Sequence, residues 1–213
     1  MAYPSVSAPY GLKPINLIGG QVFAGATRQI VIANTSGTGY NTNIFYGDVV
    51  KLASSGTIQV DAGTTTATPV GVFMGCQYIS AVTGQLTFSQ YYPASLAVKS
   101  GSDILAFVSD DPDQLFKAVL VTGTTADDVT SGLLPTYLGR TVIGSNAQLV
   151  QNTGSTVTGD SKVGIYTAAG ATTTATLPIR IIDVVPDTAN SSGNFVEVIV
   201  KDRKSTRLNS SHT

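Results

Sequence analysis

Charge is scarce in this chain, and so are the side chains that usually carry chemistry. Of 213 residues only 12% are charged; Glu197 is the sole glutamate, Cys76 the sole cysteine and His212 the sole histidine. Long exposed helices draw on Glu, Lys and Arg, so a chain this poor in them has little helix to offer. A single cysteine excludes an internal disulfide framework. In "VFMGCQY", Cys76 reads as a small buried hydrophobe. No apolar run approaches the length that spans a bilayer as a helix, "ILAFV" being typical. The start, "MAYPSVSAPYGLKP", lacks the basic region and apolar core of a secretory signal, so manufacture and assembly in a cytoplasm are expected.

The one histidine sits in an ending unlike the rest, "DRKSTRLNSSHT". Back-translated, Asp202 to His212 resembles a short-read sequencing adapter, in register over all eleven residues. Residues 202–213 are therefore expected to be a non-native tail and are set aside for fold reasoning. That removes Arg203, Lys204, Arg207 and Asp202, so 12 basic residues become 9, 13 acidic ones become 12, and the net charge becomes −3. A mildly acidic protein has no electrostatic grip on phosphate backbones, so nucleic acid is not an expected partner; nor is a membrane.

What is abundant is the vocabulary of strands and turns: Thr, Ser, Asn, Gln, Gly and Val. Residues 1–20 hold Pro4, Pro9 and Pro14 among tyrosines and aliphatics, which predicts an extended, apolar arm. Strand character follows at 28–33, 47–53, 57–61, 69–78, 85–92, 104–109 and 115–121. In "TIQVD", Ile58 and Val60 oppose Thr57, Gln59 and Asp61, the alternation of a half-buried strand. "QLTFSQYY" alternates likewise, Leu86 and Phe88 against Thr87 and Ser89. Gly71 and Gly75 within "PVGVFMGCQY" mark bulges or close backbone contact. "TADDVTSGLL" (125–134) admits one short helix before Pro135. Two strands are expected within 137–150, a long loop or hairpin over 153–176, and closing strands at 177–185 and 194–201. The expectation is all-β: one sandwich or barrel-like domain over 21–201, an extended arm over 1–20, and at most one short helix.

Catalytic patterns are thin. With His212 in the tail, Ser/His/Asp and Cys/His systems lack their base, and a zinc site lacks ligands. "GSTVTGDS" (154–161) imitates a phosphate-binding loop, but Asp160 stands where the lysine belongs and would repel phosphate. Asp110, Asp111 and Asp113 in "DDPD" form a polar turn; they are also candidates for a cation and, more remotely, for an acid/base pair. No cofactor is called for. The nine tyrosines suit both core packing and protein interfaces.

Taken together, "APYGLKPI", "YGDVVKL", "PVGVFMGCQY", "QYYPA", "SDDPDQLFKA" and "RIIDVVPDT…NFVEVIV", in that order over about residues 8–200, resemble a family of small tailed-phage virion proteins common in marine and environmental phage genomes. These are similar to capsid decoration, or cement, proteins. The resemblance implies a non-catalytic protein on the outer surface of the virion head, with the major capsid protein as partner and a homo-oligomer, with a trimer as the guess. On that reading the arm, with Tyr3, Tyr10, Leu12, Pro14 and Ile15, lies along a capsid subunit or a sister copy. Deleting residues 1–18 should then leave a folded protein that no longer adds to heads. The alternative is a receptor- or glycan-binding β module of a phage tail or fibre; a hydrolase using the aspartate turn is a third reading.

Overall fold

Apolar alternation and turn residues dictate short strands, and the computed structural model is built from them. It describes residues 6–35, 38–121, 123, 142–166, 174–188 and 195–203. Fourteen strands are described: β1 (Lys13–Leu17), β2 (Arg28–Val31), β3 (Asn34–Thr35), β4 (Thr38–Gly39), β5 (Val49–Leu52), β6 (Ile58–Val60), β7 (Gly71–Ile79), β8 (Leu86–Ser89), β9 (Leu105–Ser109), β10 (Gln114–Val119), β11 (Asn146–Val150), β12 (Gly164–Tyr166), β13 (Ile179–Val184) and β14 (Glu197–Asp202). The expected short helix at 125–134 lies outside the described residues. A 3-10 turn at Pro186–Thr188 leads towards β14.

The strands form two six-stranded antiparallel sheets and a small β3–β4 hairpin. The first sheet runs β1-β10-β14-β13-β11-β12; the second runs β2-β9-β7-β5-β6, with β8 added on β7. Each curls until its ends meet. Leu120, just past β10, bridges Ile165 of β12, and Ile32, just past β2, bridges Ile58 of β6. The Val121 N–H donates to Ile165 O at 2.9 Å and the Ala33 N–H to Ile58 O at 3.1 Å. Closure of this kind pairs backbone groups that an open edge would leave bare.

Each curled sheet encloses a core. Phe116, Ala118, Leu120, Leu149, Ile165, Ile179, Ile181, Val196, Val198 and Val200 fill the first. Ile32, Val50, Ile58, Phe73, Cys76, Tyr92, Ile104, Ala106 and Val108 fill the second. Val49 and Val72, from β5 and β7 of the second sheet, enter the first core, so the two sheets share buried surface.

The two flagged glycines have distinct reasons. A Cβ on Gly71 would come within 2.4 Å of Ser109 O, so only glycine lets β7 and β9 approach here. Gly75 has φ 128° and lies where the β7–β9 register shifts between Phe73 and Cys76.

Within the segment expected as an extended arm, residues 13–17 are strand β1 and pack on their own domain, with Lys13 opposite Lys117 and Pro14 opposite Phe116. Proline is tolerated because β1 is the edge of its sheet, where a missing N–H breaks no ladder, and the register shifts between Pro14 and Leu17. Residues 153–176, expected as one long loop or a weak hairpin, contain β12, which pairs back on β11 and closes the first sheet. At the other end, β14 runs on to Asp202, opposite Ile179, and the Arg203 N–H donates to Pro178 O at 2.8 Å. The Arg203 guanidinium also donates to Ala175 O at 3.0 Å and to Leu177 O at 2.9 Å, so the first residues of the segment set aside as a tail are held by the sheet.

Candidate interaction surface

The residues singled out in the N-terminal segment are held by their own fold. Leu12 is 1% exposed and belongs to the first core. The Tyr10 hydroxyl donates to Glu197 Oε1 at 2.5 Å, and Lys117 Nζ lies 2.9 Å from the same oxygen. Burial, and then the neighbouring Glu197 carboxylate, push the Tyr10 phenol well above its ordinary range, so it stays a donor. Lys13 Nζ sits 5.4 Å from the Tyr10 ring centre and 5.1 Å from that of Tyr46, and pairs with Asp160 at 3.0 Å. Pro14 and Ile15 are half-buried in β1, and Tyr3 lies outside the described residues. The single glutamate is thus an anchor for the segment, a role its sequence position did not signal.

The aspartate turn is dispersed in the same way. Asp110 pairs with Arg28 at 2.8 Å and Asp113 with Lys201 at 3.1 Å, while Asp111 Oδ1 accepts the Asp113 N–H at 2.8 Å. Each carboxylate serves a different neighbour. Among the described residues no three acidic, histidine or cysteine groups gather as metal ligands. Cys76 is buried, its Sγ 3.8 Å from Tyr91 O, and burial pushes its thiol up to about 12. At neutral pH it is a thiol, not a nucleophilic thiolate. Every described tyrosine is buried or half-buried; Tyr92, fully buried, donates to Tyr40 O at 2.9 Å. Tyr137 lies outside the described residues.

What stands open is different, and uncharged. Ile18 is 52% and Val22 77% exposed, in the link from β1 to β2. A turn holds this link in place: the Leu17 N–H donates to Gln21 O at 2.8 Å, and Asn16 bridges Val22. No charge occurs from Pro14 to Thr27. The second open place is the β7–β8 hairpin, where Val82 is 93%, Leu86 57% and Phe88 65% exposed. Alternation marks β8 as half-buried, but the apolar set is the outer one: Leu86 and Phe88 face solvent while Thr87 and Ser89 are half-buried.

The cause is the sheet's curl. Gln77 pairs with Phe88 and Ile79 with Leu86, on the face opposite to Cys76 and Ala106, which enter the core. Leu105 and Phe107 of β9 share that outer face, and the Phe107 ring stacks on Phe88 at 6.3 Å and 15°. The result is an apolar outer face of Ile79, Leu86, Phe88, Leu105 and Phe107. One signal in the sequence could have located it: the 37 residues from Ala62 to Val98 contain no charged side chain.

No family model, no curated protein and no solved structure matches the chain.

Proposed function

We propose that this protein is a non-catalytic phage virion protein that binds the outer surface of the head and stabilises it. The observation that carries the reading is the exposed apolar surface on two charge-free stretches of the chain, above all the Ile18–Val22 link. Interfaces between proteins are depleted in charge at their centres and are built on apolar anchors, and a capsid lattice offers broad surface of the same kind. The resemblance to decoration proteins supports the same reading. The partner is then the major capsid protein, and the site of action is the virion surface after assembly in the host cytoplasm. The contact surface shifts from Tyr10, Leu12, Pro14 and Ile15, which are engaged at home, to the exposed residues just downstream.

The test mixes the purified protein with expanded heads built from the capsid protein encoded beside its gene, then sediments the heads. Saturable co-sedimentation is expected. Val22→Asp should weaken it at least about tenfold, because a carboxylate would have to be desolvated at the contact. Its melting temperature should be unchanged, since Val22 touches little of the fold. Heads that pellet without the wild-type protein, or that retain the Val22→Asp variant at full strength, would overturn the proposal.

A further inference from the structure

The geometry points to β8 as a self-pairing edge: two copies of this chain join antiparallel along it, about a twofold axis through Thr87. The inference does not depend on the capsid reading.

The backbone sets up the contact. The Ser80 N–H donates to Gln85 O at 3.0 Å, in the same register that pairs Ile79 with Leu86 and Tyr78 with Thr87. Antiparallel pairs alternate between bonded and non-bonded types. Thr87 and Ser89 therefore bond to β7, and Leu86 and Phe88 turn their N–H and C=O groups to the other side. Among the described residues β8 pairs only with β7, so no described strand lies on that side. The two sheets close on themselves through Leu120–Ile165 and Ile32–Ile58, which leaves β1 and β8 as edges, and of the two β8 carries no proline.

Edges left open in soluble proteins are normally guarded by lysine, proline or an inward charge. Leu86–Ser89 has none, and no charged side chain lies anywhere between Ala62 and Val98. Such an edge gives no charge for a charged partner to recognise. It also gives two identical copies no charge to repel each other, and antiparallel self-pairing satisfies the outward groups of both copies at once, so the occupant is a second copy.

The register follows. With the axis at Thr87, Leu86 of one copy lies opposite Phe88 of the other. Each such pair exchanges two backbone hydrogen bonds, so all the outward groups of both residues are satisfied in an isologous contact. Both side chains project to one apolar face, where Leu86 packs on the partner's Phe88, itself already stacked on Phe107. The second sheet would then continue unbroken across two subunits.

The experiment uses the free protein, without heads, so its failure leaves head binding untouched and the reverse also holds. Sedimentation equilibrium from low to high micromolar concentration should show a monomer–dimer equilibrium. Leu86→Lys should weaken the dimer at least about tenfold by placing charge on the edge. Leu86→Pro should do the same by removing an outward N–H that β7 does not use. Thr87→Cys should give a disulfide-linked dimer on mild oxidation, since the two residues face each other as a close non-bonded pair; the wild type, with Cys76 buried, should not. A wild type that stays monomeric or forms trimers would overturn the inference. So would a Leu86→Lys protein that dimerises normally, or a Thr87→Cys protein that never cross-links; the last readout stands even if a Leu86 variant fails to fold.

Discussion

Removing residues 1–18 is expected to unfold the protein, not to release a folded domain that has merely lost an arm. The segment supplies Leu12, fully enclosed among Phe116, Val163 and their neighbours in the first core. Losing a leucine from such a site costs about 2–5 kcal/mol. It also supplies strand β1 along β10, and the Tyr10 hydroxyl that donates to the buried Glu197 carboxylate. A buried carboxylate deprived of a donor costs roughly 1–3 kcal/mol more. Domains of this kind hold only about 5–15 kcal/mol in total, so the deletion removes most of that margin. Leu12→Ala isolates the core component and should lower the urea unfolding free energy by about 2–5 kcal/mol. A deletion protein with wild-type near-ultraviolet circular dichroism and an unchanged melt would show that the segment is dispensable to the fold.

Stability should also fall as pH rises from about 4 to about 7, through Asp48. Its carboxylate is 6% exposed and is the acceptor for the Phe45 N–H at 2.8 Å. Burial raises its pKa from 3.8 to about 6, against the lowering effect of its hydrogen bonds from Ser161 and from Phe45. Between those values the folded protein holds a proton that the unfolded chain has released. Linkage then makes the contribution greatest below the unfolded value of 3.8 and removes it as pH climbs through about 6. The difference corresponds to about 3 kcal/mol at most. Asp48→Asn cannot titrate, so its stability relative to wild type should rise by up to that amount across the window, as read by urea unfolding at a series of pH values. A constant gap between the two proteins would mean that Asp48 is as acidic in the fold as in the open chain.

The parts of the fold that depend on local pattern were readable in the chain. "ILAFVS" and "LFKAVLV" are β9 and β10 because apolar runs of this length suit strands, though both bury alternate residues, Ala106 and Val108 in one and Phe116 and Ala118 in the other. Gly71 and Gly75 stood out because little else tolerates a 2.4 Å approach or a φ of 128° within a strand. What stayed hidden depends on distant partners. The prolines around β1 spoke against a strand, and only its place at a sheet edge makes Pro14 acceptable. Tyr10 and Glu197 are 187 residues apart, and no periodicity links them. The closures at Ile32–Ile58 and Leu120–Ile165 are single bridges that leave no trace in composition. The outward turn of Leu86 and Phe88 has the same origin: alternation tells which residues share a face, but the curl of the sheet decides which face is inside. The missing charge across Ala62–Val98 was the one visible mark of that surface.

The most direct measurement of the whole account is the temperature at which DNA-filled heads rupture, followed by release of a dye-accessible genome, with and without saturating protein. A protein that adds contact area across the outer shell binds the intact lattice and not the ruptured one, so it must raise that temperature by mass action. The account predicts a clear upward shift that saturates with the bound protein and is lost with Val22→Asp. Rupture at the same temperature, with the protein demonstrably bound, would contradict it.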